Sequence, residues 1–107
     1  MKQRPRRVLV VEDSPDVRKA LRLLLAQEGF DVADTDNGSD ALRLTQSHDF
    51  DAVLTDLGLP DIPGHRVVQG VRERPNPDCR VVVFSGAEEP EMTEALRAFL
   101  EIGRAHV

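Results

Sequence analysis

One acidic side chain, Asp56, directly follows a short apolar segment of the sequence and is followed at once by a turn. Glu12 and Asp13 follow a second apolar segment in the same way, and Ser85 follows a third. Few acids are tolerated beside a protein core unless a cation or a hydrogen-bond donor pairs with them. Asp56 therefore requires a partner, and the other two segments supply the candidates.

A cluster of Glu12, Asp13 and Asp56 would either hold protons or bind a cation, because like charges a few ångströms apart repel each other. Oxygen ligands without a nearby histidine or cysteine favour a hard ion, Mg²⁺ or Mn²⁺. A carboxylate beside such an ion can act as a nucleophile toward phosphorus and form an aspartyl phosphate. The hydroxyl of Ser85 could then donate a hydrogen bond to the phosphoryl group.

The elements that must position these residues alternate regularly between strands and helices. Continuous apolar or β-branched runs predict strands, and apolar residues at helical spacing predict the helices between them. Alternation of this kind predicts an α/β protein with right-handed crossovers and a parallel sheet covered on both faces. The second strand is polar, which favours a place at the edge of the sheet. The predicted strands are 8–11, 30–35, 50–56 and 80–85, and the predicted helices are 15–28, 39–47, 66–74 and a fourth that opens at 89–90 and reaches 100.

The first predicted helix has recognisable ends and one apolar face. Ser14 is a favourable N-cap residue, and Gly29 is a typical terminator. Leu21, Leu24 and Leu25 recur at helical spacing, so we expect all three to face the core.

Composition limits the classes of protein to consider. A chain of 107 residues with 40% apolar content predicts one domain with a modest core. The net charge of −5 argues against nonspecific binding to nucleic acid or to an anionic membrane. No apolar run approaches the roughly 20 residues that span a bilayer, and no hydrophobic leader follows the basic start. Cys79 has no second cysteine to pair with, so a cytoplasmic protein without a disulfide is expected.

Three stretches carry a resemblance to a known family. Residues 8–18 look like the opening of a response-regulator receiver domain, and residues 56–64 resemble the phosphoacceptor loop of that family. Residues 81–87 resemble its switch strand. The spacings stay in register from about residue 7 to residue 100, which makes the match far more specific than any one stretch.

The resemblance implies a flavodoxin-like, doubly wound parallel sheet with strand order 2-1-3-4, from which the fifth strand and fifth helix of the family are missing. It implies that Asp56 accepts a phosphoryl group from a sensor histidine kinase or phosphotransfer protein, and that the domain is a signalling switch and not an enzyme. Glu12, Asp13, Asp56 and the backbone carbonyl of Gly58 would bind Mg²⁺ or Mn²⁺, with Asp13 as a direct ligand. Ser85 would be the switch hydroxyl. The domain could in addition form a homodimer, and it is not expected to bind nucleic acid directly or a membrane.

The family pattern breaks near the end of the sequence. The family places a lysine at the end of a fifth strand, and the corresponding position falls near Val107, the last residue. Residues 101–107 match the translation of a common sequencing-library adapter. We therefore expect an incomplete receiver domain over residues 1–100 and a non-native tail over 101–107, which the source nucleotides would test.

Two other functions compete with a phosphorylated switch. The first is a binding module that keeps the fold but no longer responds to phosphorylation. The missing lysine is compatible with this function. The second is a small metal-dependent phosphatase with an aspartate nucleophile. Such enzymes usually have a second acid two residues after the nucleophile, where this chain has Gly58.

Overall fold

The computed structural model describes residues 5–73 and 79–84. Within these residues, four strands alternate with three helices in the order that the apolar pattern predicts. The elements are β1 (Arg7–Val11), α1 (Pro15–Gln27), β2 (Asp31–Thr35), α2 (Gly38–Ser47), β3 (Ala52–Asp56), α3 (Gly64–Arg72) and β4 (Arg80–Phe84).

The strands form one parallel sheet with the order β2-β1-β3-β4. The predicted α/β class and strand order are therefore confirmed. The prediction that the polar second strand lies at an edge is also confirmed, since among the described strands β2 pairs only with β1. β1 and β3 are the inner strands, and the side chains of Ala52–Asp56 are all buried.

Alternate residues of the inner strands pack into two separate cores, one on each face of the sheet. Val8 and Val10 of β1 pack with Leu21 and Leu25 of α1 on one face. On the other face, α2 and α3 cover the sheet. The buried members of this second core are Leu9, Val11, Ala41, Phe50, Val53, Val67 and Val71.

The ends of α1 follow local chemistry. The hydroxyl of Ser14 accepts a hydrogen bond from the backbone N–H of Val17 at 3.5 Å, and Pro15 occupies the first turn. Gly29 follows the helix with a φ of 93°, a left-handed conformation that glycine adopts without strain. Both predicted caps are therefore confirmed.

The expectation that Leu24 faces the core is wrong. Its side chain is 46% exposed, whereas Leu21 and Leu25 are almost completely buried. Leu21, Leu24 and Leu25 have the i, i+3, i+4 spacing of one helix face, but the sheet contacts the stripe that contains Leu21 and Leu25, and Leu24 lies at the exposed margin of that stripe.

The boundaries of three predicted elements also differ from the structure by one or two residues. β3 begins at Ala52 and not at residue 50, although Phe50 is buried all the same. α2 begins at Gly38 because Asn37, predicted to form a turn, is the N-cap and accepts a hydrogen bond from the N–H of Asp40. α3 begins at Gly64, two residues earlier than predicted, and ends at Arg72. The predicted fourth helix and residues 101–107 lie outside the described residues, so the proposed domain limits stay a prediction.

Candidate functional site

The carboxyl ends of β1 and β3 lie side by side at one edge of the sheet. Val11 pairs with Thr55 in the parallel register, so the next residue of each chain segment, Glu12 and Asp56, lies at the same level at the carboxyl edge of the sheet. Together with Asp13, these acids form a cluster in which one carboxylate oxygen from each residue lies within 4.8 Å of the others. The structure thus brings together the three acids singled out from the sequence.

Asp56 is buried, with only 5% of its surface exposed. Its Oδ1 accepts a hydrogen bond from the backbone N–H of Gly58 at 3.0 Å, and this contact orients the carboxylate at the start of the loop. The N–H of Leu57 donates to the carbonyl oxygen of Phe84 at 2.9 Å, which ties the same backbone to β4. The position of the carboxylate is therefore fixed by its own loop and by the neighbouring strand.

Glu12 is buried more deeply than Asp13, although the two are adjacent. The Oε2 of Glu12 accepts a hydrogen bond from the N–H of Ser14 at 3.0 Å, and the guanidinium of Arg18 donates to its backbone carbonyl at 3.0 Å. The side chain of Asp13 is exposed at the mouth of the cluster. Because Glu12 already accepts a bond within its own turn, Asp13 is the better placed of the two to contact an ion directly.

The electrostatics of the cluster favour a cation. Burial raises the pKa of Glu12 from its ordinary value of 4.5 to about 7; the hydrogen bond from Ser14 opposes the shift, whereas the Asp13 hydrogen bond and the charges of Asp56 and Asp13 add to it. A divalent ion among these carboxylates would relieve the repulsion. The donors are all oxygens, as a hard cation such as Mg²⁺ requires, so the residues present fit the ion expected from the sequence.

The raised pKa of Glu12 predicts that Mg²⁺ binding depends on pH. Mg²⁺ binds ionised carboxylates, so binding must displace the proton that Glu12 holds below about pH 7. For each unit that the pH falls below that pKa, we expect the dissociation constant for Mg²⁺ to increase by up to about tenfold. Calorimetric titration one unit above and one unit below the pKa tests this. Glu12→Gln should bind Mg²⁺ with much less dependence on pH, and equal affinities of the unmutated protein at both pH values would contradict the prediction.

The raised pKa of Glu12 also determines whether stability rises or falls with pH once a chelator has removed divalent ions. Because the folded-state pKa of Glu12 lies above 4.5, the folded protein binds more protons than the unfolded chain between pH 4.5 and about 7. The contribution of Glu12 to the free energy of unfolding is therefore fully present below 4.5 and is lost as the pH rises through 7. Glu12→Gln removes this dependence.

Gly64 closes the loop that follows Asp56. Its N–H donates to the carbonyl oxygen of Leu57 at 3.0 Å. A Cβ at this position would lie 2.3 Å from the carbonyl oxygen of Asp56 and 2.6 Å from the Cα of Leu57. The φ of Gly64 is not positive, so the requirement for glycine is one of space.

Two further residues of the site region were not identified from the sequence as having a role. In the sequence, Arg18 and Asp61 are only members of the matched stretches 8–18 and 56–64. Both make hydrogen bonds to backbone groups of other segments, Arg18 to Glu12 and Asp61 to the start of α2. Such contacts leave no periodic signal in a sequence. Ser85, the predicted switch hydroxyl, lies outside the described residues, and its role stays a prediction.

Comparison with known proteins agrees with this arrangement. The sequence model of the family described as the response regulator receiver domain matches residues 8–102. The chain belongs to this family. Receiver domains are the modules of two-component systems that carry the acidic site, and the match extends from β1 past β4.

Among curated relatives, this receiver domain is similar to two transcriptional regulators. It is 31% identical over 112 residues to the cell cycle transcriptional regulator CtrA of Caulobacter vibrioides, covering 94% of this chain and 48% of that protein. It is 43% identical over 65 residues to the transcriptional regulatory protein KdpE of Mycobacterium tuberculosis, covering 61% of this chain and 29% of that protein. The chain thus spans less than half the length of these relatives.

Solved structures show the same fold. A CheY-like receiver domain from Methylobacillus flagellatus matches with a TM-score of 0.78 at 27% identity, over 91% of this chain and 97% of that one. The response regulator TrrA of Thermotoga maritima, solved in complex with Mg²⁺ and BeF, matches with a TM-score of 0.70 at 28% identity, over 87% of this chain and 80% of that one. The predicted flavodoxin-like fold of the receiver domain is confirmed. In the part of the chain that the structure describes, no helix has the length and apolar character to cross a membrane.

Proposed function

We propose that this receiver domain is a phosphorylation switch in which Asp56 accepts a phosphoryl group from a sensor histidine kinase or a phosphotransfer protein, with Mg²⁺ bound by the neighbouring acids. The observation that carries the proposal is the convergence of Glu12, Asp13 and Asp56 within 4.8 Å at the carboxyl edge of the sheet. Ligands of open parallel sheets bind at this edge. The relative TrrA, solved with Mg²⁺ and BeF, supports the same assignment.

The transfer step requires an oxygen nucleophile held in one orientation. A carboxylate oxygen of Asp56 forms a bond to phosphorus while the bond from phosphorus to the donor breaks, and the donor leaves with that electron pair. The donor is the imidazole nitrogen of a phosphohistidine or, in a test, the acetate of acetyl phosphate. The hydrogen bond from the N–H of Gly58 to Oδ1 limits the rotation of the Asp56 carboxylate before the donor arrives.

The other residues of the cluster are proposed to bind the cation that assists the reaction. Glu12 and Asp13, with the backbone carbonyl of Gly58, are the proposed ligands that complete the site around Asp56. When bound there, Mg²⁺ would offset the negative charge on the transferring phosphoryl group. Ser85 is proposed to donate a hydrogen bond to the phosphoryl group once it is attached. A partner kinase, a second copy of the chain and a cytoplasmic location all remain predictions from the sequence.

Replacing Asp56 by asparagine tests the proposal, because the amide keeps the shape of the side chain but is not a nucleophile. We expect acetyl phosphate with Mg²⁺ to add one phosphoryl group to the unmutated protein, detected by intact mass and removed by hydroxylamine. Asp56→Asn should show no adduct, and a chelator should abolish the adduct of the unmutated protein. Asp36→Asn, in the exposed turn after β2, is the matched control and should be phosphorylated normally.

Each alternative function has its own outcome in this experiment. No adduct on the unmutated protein would overturn the proposal and favour a binding module that does not respond to phosphorylation. Continuous release of phosphate at many turnovers per minute would favour the phosphatase. An adduct that persists in Asp56→Asn would place the phosphoryl group on another residue.

A further inference from the structure

The loop between β3 and α3, residues 57–63, is attached to α2 by the side chain of Asp61. Oδ1 of Asp61 accepts a hydrogen bond from the N–H of Gly38 at 2.8 Å, and Oδ2 accepts one from the N–H of Ser39 at 2.8 Å. These bonds hold the pKa of the Asp61 carboxyl well below its usual range, although the side chain is exposed to solvent. An ionised acid at the first turn of a helix also interacts favourably with the helix dipole.

Apolar packing supports the same attachment. A Cβ on Gly38 would lie 2.3 Å from the Cγ1 of Ile62, so the first residue of α2 lies directly against the loop. Ile62 also packs against the core on this face of the sheet. Adjacent residues of the loop, Asp61 and Ile62, thus hold α2 by polar and apolar contacts respectively.

The other side of the loop meets the acidic cluster. The N–H of Gly58 donates to Asp56, and the N–H of Gly64 donates back to Leu57, which closes the loop on itself. Only two residues separate Gly58 from Asp61. The position of the Gly58 peptide therefore depends on where Asp61 holds the far side of the loop.

We propose that Asp61 is a positioning residue for the acidic cluster: by fixing the loop to α2, it holds the Gly58 peptide where it orients Asp56 and where its carbonyl can reach a bound cation. The inference rests on the proposed function, because it concerns the Mg²⁺ site assigned there. Coupling is reciprocal, so Mg²⁺ bound at the cluster in turn stabilises the hydrogen bonds between Asp61 and α2.

Asp61 could instead serve only as a cap for α2, and Asn37 provides the control that separates the two roles. The Oδ1 of Asn37 accepts a hydrogen bond from the N–H of Asp40 at 2.8 Å, so Asn37 is also a cap of the same helix. Asn37 lies on the chain segment that leads into α2, whereas Asp61 belongs to the loop. Asn37→Ala and Asp61→Ala therefore both weaken the start of α2, but only Asp61→Ala releases the loop.

The experiment measures the dissociation constant for Mg²⁺ by calorimetry and the rate of phosphorylation by acetyl phosphate in the two variants and in the unmutated protein. We expect Asp61→Ala to weaken Mg²⁺ binding by about tenfold, as is typical when a residue that orients a metal ligand is lost, and to slow phosphorylation at a subsaturating Mg²⁺ concentration. Asn37→Ala should change the Mg²⁺ affinity by less than about twofold. If Asp61→Ala lowers the stability but binds Mg²⁺ as tightly as the unmutated protein, Asp61 is only a helix cap.

Hydrogen exchange of the unmutated protein tests the coupling without relying on a variant that folds. Saturating Mg²⁺ should slow the exchange of the Gly38 and Ser39 amides, and unchanged exchange would overturn the inference. Asp61→Asn keeps one acceptor oxygen, so it should weaken Mg²⁺ binding in the same direction but to a smaller extent. An unmutated protein that binds no Mg²⁺ would overturn the proposed function together with this inference. A protein that is phosphorylated normally, with Mg²⁺ affinity unaffected in Asp61→Ala and Asp61→Asn, would overturn this inference alone.

Discussion

Gly64→Ala is expected to lower the free energy of unfolding by about 3 kcal/mol or more, toward the upper end of what overpacking costs. The added Cβ would meet the carbonyl oxygen of Asp56 at 2.3 Å and the Cα of Leu57 at 2.6 Å. Both atoms are backbone, and that backbone is held to β4 by the hydrogen bond from Leu57 to Phe84, so neither can move without disturbing the sheet. Local helix propensity alone would favour alanine at the start of α3 by up to about 1 kcal/mol. The steric clash and the helix propensity therefore predict changes in stability of opposite sign.

Urea unfolding followed by circular dichroism measures this effect, and Gly58→Ala in the same loop is the matched control. The nearest atom to a Cβ on Gly58 would be Oδ1 of Asp56, at 3.8 Å. We therefore expect its stability to change by less than about 1 kcal/mol. Gly70→Ala is an intermediate case, because its Cβ would meet the flexible end of the Leu42 side chain, which can move. A Gly64→Ala variant as stable as the unmutated protein would show that the loop relaxes freely.

Asp13→Asn is expected to have opposite effects on stability and on cation binding. In the presence of a chelator, removing the charge of Asp13 from the cluster should raise the free energy of unfolding by about 1 kcal/mol, because Asp13 is exposed and its loss forfeits little packing. The same change removes the proposed direct ligand, so the affinity for Mg²⁺ should fall by about a hundredfold or more. Opposite signs of the two effects would identify Asp13 as an acid that destabilises the ion-free fold and binds the ion.

The matched control for this prediction is Asp16→Asn, three residues further along. Asp16 lies in the first turn of α1, where its charge interacts favourably with the helix dipole, and it lies outside the acidic cluster. Its neutralisation should lower the stability by about 0.3–1 kcal/mol and leave Mg²⁺ binding intact. Unfolding with chelator and calorimetry with Mg²⁺ measure both quantities. A loss of stability in Asp13→Asn would contradict the role assigned to charge repulsion.

The sequence was sufficient to predict the architecture because the inner strands are short, apolar and separated by helical patterns. It also identified Glu12, Asp13 and Asp56, since the carboxyl ends of parallel strands meet at one edge. It failed where the outcome depends on which neighbour an element contacts. Leu24 and Leu25 are the same residue type, and both lie at helical spacing from Leu21. Only the position of α1 on the sheet determines that Leu25 is buried and Leu24 is exposed.

Long-range polar contacts were also beyond prediction. Asp61 caps a helix that begins 23 residues earlier, and no local pattern reports such a partner. The need for glycine at position 64 arises from the approach of two backbone segments that the sequence does not place. The predictions for Ser85 and for the fourth helix come from the same kind of sequence pattern, and both lie outside the described residues.

The acids of the cluster emerge from β1 and β3, the two strands that pair on both sides. Inner strands of this kind exchange their amide hydrogens only when most of the molecule opens, whereas edge strands and helix ends open locally. The backbone segments that carry Glu12 and Asp56 therefore do not separate through a local opening of the sheet. The repulsion between these carboxylates therefore lowers the free energy of unfolding of the whole domain, and a proton or a cation relieves it.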